Sequence, residues 1–122
     1  MTKQTTEIIE KLKTRTLARE VVWTNTKRKN EFQLLLPSGR ITVDRWNLKD
    51  GTPATDFRIY NKDGLEILAE AATEESEAYR LITSLHDAIL IRKLNVEETL
   101  AGIEKELAAE GPIGGDQDEI PF

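Results

Sequence analysis

The sequence contains no cysteine. A disulfide framework, a thiolate metal site and cysteine-dependent catalysis are therefore excluded. Histidine occurs once, as His86, and a single imidazole makes a poor zinc site. Lying beside Leu85 and Asp87 in a helical pattern, it reads as a surface or capped core histidine rather than a general base. No glycine loop followed by lysine is present to cradle a phosphate, and Gly111, Gly114 and Gly115 read as linker. The acids Glu74, Glu75 and Glu77 fall at the start of a helical pattern, where the helix dipole accounts for them. No apolar run approaches the length needed to span a bilayer, and Met1, Thr2, Lys3 and Gln4 offer no apolar signal core. The expectation is a soluble cytoplasmic protein without membrane contact, not an enzyme, holding neither cofactor nor metal.

Positive charge is also scarce on average, since the net charge is -5. The average hides a polarity. Between Lys11 and Arg58 eleven basic residues face five acidic ones, so that segment carries +6 and the remainder -11. The 122 residues, 39% of them hydrophobic, suffice for one modest core and one appendage. We therefore expect a single α+β domain over residues 1–110 and a flexible acidic tail over 111–122.

The element order reads α, then β, then α. Ile8, Ile9, Leu12 and Thr16 recur at helical spacing within Thr5 to Ala18, with acids early and bases late as the helix dipole favours. Strand-like stretches follow at Glu20–Thr26, Asn30–Leu36, Arg40–Asn47, Thr55–Tyr60 and Leu65–Glu70. Pro37-Ser38-Gly39 and Asn61-Lys62-Asp63-Gly64 mark two hairpin turns, so these stretches form a small antiparallel meander of four to five strands. Thr73 is a candidate N-cap for a helix to about Lys93, with Ala78, Leu81, Ile82, Leu85 and Ile89 as its core face. Asn95 and Glu98 have capping-box character and open a second helix striped by Val96, Leu100, Ile103 and Leu107. Gly111 and Pro112 end helical structure.

The chain closes with Asp116-Gln117-Asp118-Glu119-Ile120-Pro121-Phe122. This tip resembles that of bacterial single-stranded-DNA-binding proteins and some phage counterparts, which finish in a linker, several acids and Ile-Pro-Phe or a close variant. The resemblance covers about seven residues, and Gln117 interrupts an acidic run that is denser in the family. It implies a docking peptide. Phe122 and its carboxylate would enter a basic-rimmed pocket on replication, recombination or repair enzymes, supported by Pro121 and Ile120 and rimmed by Asp116, Asp118 and Glu119. An aromatic anchor, a terminal carboxylate and a proline that limits ordering cost are sound docking chemistry in their own right. The body does not resemble the oligonucleotide-binding barrel of that family, because it opens with a helix and closes its sheet with two more.

The body carries its own argument for single-stranded DNA. Trp23 and Trp46 both fall in the +6 segment, interleaved with Lys27, Arg28, Lys29, Arg40, Arg45 and Arg58, and single-strand binders combine basic grooves with aromatic platforms. Alternation places Arg40, Thr42, Asp44 and Trp46 on one strand face, and Ile41, Val43 and Arg45 on the other. Phe32 alternates with Leu34 and Leu36 as a core face would. Three functions remain open: a single-stranded-DNA-binding protein whose tip recruits genome-maintenance enzymes, an adaptor or decoy that occupies their pockets without binding DNA, or a structural or regulatory partner whose tip resemblance is accidental. A sheet this small also leaves edges that can pair with a second copy.

Overall fold

The computed structural model describes residues 1–112. The chain folds as helix α1 (Lys3–Leu17), strands β1 (Thr24–Asn25), β2 (Phe32–Leu36), β3 (Gly39–Asn47), β4 (Pro53–Asn61) and β5 (Glu66–Thr73), then helices α2 (Glu77–Lys93) and α3 (Val96–Ala108). The five strands form one antiparallel sheet in sequential order. The expected α+β meander, with one helix before it and two after, is therefore the fold.

Period-two alternation decides which face is covered. Phe32, Leu34, Ile41, Val43 and Phe57 occupy one face and meet Ile82, Leu85 and Ile89 of α2, with Ile9 of α1 closing the cluster. The helix α2 lies on β3, β4 and β5, and α1 packs on α2. Among the described residues, no helix packs on the opposite face. Burying some ten large apolar side chains, at about 2 kcal/mol each, is what opposes the chain entropy of ordering this domain.

Local chemistry sets the element ends. The Thr2 hydroxyl accepts from the Thr5 N–H at 3.1 Å and starts α1. Its end is a Schellman closure: Arg19 sits at φ 64°, and Glu20 N–H donates to Arg15 O at 2.9 Å. The cap of α2 is Ser76, whose hydroxyl accepts from Tyr79 N–H at 3.0 Å. Thr73, the expected cap, is instead the last residue of β5, paired with Ala54. Asn95 makes no side-chain cap, and the expected capping box does not form; the residue turns the chain between α2 and α3 at φ 52°. The expected first strand shrinks to two residues, because the chain ahead of it turns Trp23 into the core rather than along a partner strand. Leu100, Ile103 and Leu107 of α3 remain exposed and take no part in the core.

Two positions need their sequence for tight turns. Gly39 begins β3 where a Cβ would overlap the Tyr60 carbonyl oxygen. The second hairpin is closed by Asn61, whose Oδ1 accepts from Asp63 N–H and Leu65 N–H, each at 3.0 Å, with Gly64 at φ 87°.

Candidate nucleic-acid interface

The uncovered sheet face is where the chemistry gathers. Register brings Gln33, Thr42, Arg58 and Ala69 into one row, Leu35, Arg40 and Tyr60 into the next, and Asp44, Asp56 and Ala71 into a third. Trp46, Ala54 and Thr73 form a fourth row.

Arg40 lies over Tyr60, its guanidinium carbon 4.3 Å from the ring centroid, and its Nη1 donates to Gln33 Oε1 at 3.3 Å. Lys62 and Leu35 line the same groove, about 350 Å³ in volume, between the two hairpin turns. At the other end Trp46, half-buried, lines a groove of about 510 Å³ with Leu48, Ala54, Ala71, Ala72 and Thr73. Six residue steps along β3 separate Arg40 from Trp46, about 20 Å.

Between the two grooves the charges are tied to one another. The Arg28 guanidinium stands 2.9 Å from Asp44 Oδ2, and Arg58 Nε donates to Asp56 Oδ2 at 3.1 Å and through Nη1 to Glu66 at 2.9 Å. The two aspartates face one another across β3 and β4 and are almost wholly buried. Burial pushes both carboxyls up from their ordinary 3.8, against the pull of the Arg45 backbone N–H and Arg28 on Asp44, and of Arg58 on Asp56.

The structure therefore separates the residues that sequence had grouped. Trp23 is 4% exposed, and its indole N–H donates to the buried Thr16 hydroxyl at 2.9 Å. It belongs to the core and offers no stacking face. Arg45 points to the helix side, where its Nη1 donates to Asp87 of α2 at 3.0 Å. Arg28 and Arg58 are on the open face but engaged with buried carboxylates. Lys27 and Lys29 are exposed on the loop between β1 and β2 and have no ion-pair partner among the described residues, and Arg40 and Trp46 share the open face. Tyr60, Lys62 and Gln33 were missed. The signal for Tyr60 was there, since it alternates with Arg58, and pairing across the β3–β4 hairpin sets it opposite Arg40.

Comparison with protein-family models, curated proteins and solved structures finds no match. The function must be argued from the residues. No group of three or more carboxylate or imidazole side chains among the described residues is arranged to hold a metal ion, and no described helix is long and apolar enough to cross a membrane. The docking tip, Asp116, Asp118, Glu119, Ile120, Pro121 and Phe122, lies outside the described residues.

Proposed function

We propose that this protein binds single-stranded DNA on the open face of its sheet and recruits replication, recombination or repair enzymes through its C-terminal Ile-Pro-Phe tip. The observation that carries the reading is the pair of aromatic side chains at the two ends of one uncovered face: Tyr60 beneath the guanidinium of Arg40, and Trp46 in an apolar groove. Bases stack on such surfaces without sequence preference, each stack contributing about 1–3 kcal/mol. Lys27, Lys29, Arg40 and Lys62 supply phosphate contacts, so binding should weaken as salt rises.

The test is titration with an oligo-dT strand at low and moderate salt, following tryptophan emission. Quenching that weakens with salt and disappears in Trp46→Ala supports the reading. No binding at low salt rejects it.

One observation favours the adaptor reading instead. Arg28 and Arg58 spend their charge on Asp44 and Asp56, and Glu66 adds a further acid, leaving the middle of the face nearly neutral. An adaptor would keep tail-dependent capture of a tip-binding enzyme and show no DNA binding. Deleting Phe122 should abolish that capture under either reading, and undiminished capture in a pull-down would remove the docking role.

A further inference from the structure

The two edges of the sheet are treated differently. At one end β1 contains only two residues, too short to template another strand. At the other, β5 runs for eight residues, Glu66 to Thr73, with β4 on one side and no strand on the other among the described residues. Proline and lysine, the usual guards of an edge, are absent from it, and its only charges are Glu66 and Glu70. Its single irregularity falls opposite Ile59 and Tyr60, which leaves Leu68 to Thr73 in regular pairing.

We propose that this edge is a self-association surface, on which β5 of one copy pairs antiparallel with β5 of a second about a two-fold axis at Ala71. An antiparallel strand is complementary to itself under such an axis, provided that its charges do not meet. Every register centred on a residue keeps like faces together, and centring on Leu68 or Ala72 sets Glu70 against Glu66 or Glu74 of the other copy. Centring on Glu70 sets two half-buried glutamates against each other. Centring on Ala69 forces Ile67, the residue at the irregularity, to pair with Ala71. Centring on Ala71 sets Ala69 against Thr73 and Glu70 against Ala72, all within the regular segment, with small side chains at the joint. The result is one ten-stranded sheet with both open faces on the same side. Because Ala71, Ala72 and Thr73 also line the Trp46 groove, the two grooves abut at the axis. The association does not depend on what the open face binds.

The natural absence of cysteine makes the test direct. Ala71 is exposed, so substitution there spares the core. At the two-fold axis, Ala71→Cys places two cysteines with their Cα atoms about 4.5–5.5 Å apart, within disulfide range. Mild oxidation should convert it to a species of twice the monomer mass on non-reducing gels, whereas Leu35→Cys, exposed on β2, should remain single. Light scattering should report a dimer for the unmodified chain, monomers for Ala71→Lys and Ala71→Asp alone, and a restored dimer when these two are mixed, since opposite charges then meet at the axis. A monomeric unmodified chain, equal crosslinking through Leu35→Cys, or no restoration on mixing would overturn the proposal.

Discussion

His86 donates through Nε2 to the main-chain oxygen of Asn30, 2.7 Å away. Asn30 stands at φ 66°, a left-handed conformation that asparagine tolerates. The bond ties α2 to the loop that carries Lys27, Arg28 and Lys29. His86 thus positions the loop whose Arg28 reaches across to Asp44.

The same contact makes stability depend on pH. Burial, reinforced by the charge of Arg45, lowers His86 from its ordinary 6.5, against the Asn30 bond. The folded state therefore takes up a proton less readily than the unfolded chain. Its contribution is present above 6.5 and is lost as pH falls through the depressed folded value. Asp44 and Asp56 act with the opposite sign, because carboxyls raised from 3.8 favour the folded state where they are protonated, and that contribution fades as pH rises through their folded values. Melting temperature should drop on acidification below 6.5 and flatten in His86→Gln; an unchanged slope in that variant would assign the effect elsewhere.

Arg58→Ala should leave Asp56 buried beside Asp44 without its counter-charge. A loss of about 2 kcal/mol is expected, the cost of an unsatisfied buried charged acceptor. Denaturant unfolding of Arg58→Ala, Asp56→Asn and the double variant measures this. Most of the loss should return in the double variant, because an amide is far cheaper to bury than an unpaired carboxylate.

Gly39→Ala should cost about 2 kcal/mol or more, since the added methyl overlaps the Tyr60 carbonyl oxygen and β3 must move away from β4. The displacement reaches Arg40 and Tyr60 directly, so it should also weaken any ligand held by that pair. Ser38→Ala, in the same turn, serves as the control in thermal melts.

Arg40 and Arg45 lie on opposite faces of one strand, and their variants should differ accordingly. With oligo-dT as ligand, Arg40→Ala is expected to weaken binding about tenfold and to reduce the salt slope by about one, having lost one stacked and phosphate-facing cation. Arg45→Ala, which removes the link to Asp87 on the helix side of the sheet, should leave affinity unchanged. Equal effects would place the ligand elsewhere.

Much of the fold was legible because hydrophobic periodicity and turn chemistry are local. Ile82, Leu85 and Ile89 advertise one face of α2, and Pro37-Ser38-Gly39 and Asn61 to Gly64 announce hairpins by their backbone demands alone. Helix caps were less legible. Thr73 and Ser76 both offer a hydroxyl, and only the length of β5, fixed by pairing with β4, decides which of them begins α2. The candidate site was legible in part: alternation correctly put Arg40 and Trp46 together and Arg45 apart.

Trp23 and Trp46 show where sequence stops. Both are aromatic residues in a basic segment, and composition treats them alike. The sequence by itself determined the element order, the hairpins, the apolar face of α2 and the alternation along β3, because each follows from spacing of about two or 3.6 residues and from the dihedral preferences of glycine, proline and asparagine. Tertiary structure alone decided that Trp23 finds the Thr16 hydroxyl and a place in the core while Trp46 is left on the open face, and that Arg28 meets Asp44 instead of solvent. Burial and charge pairing are properties of which strands and helices lie side by side, and residues 7 or more apart in the chain acquire them only when the sheet and its helices have closed.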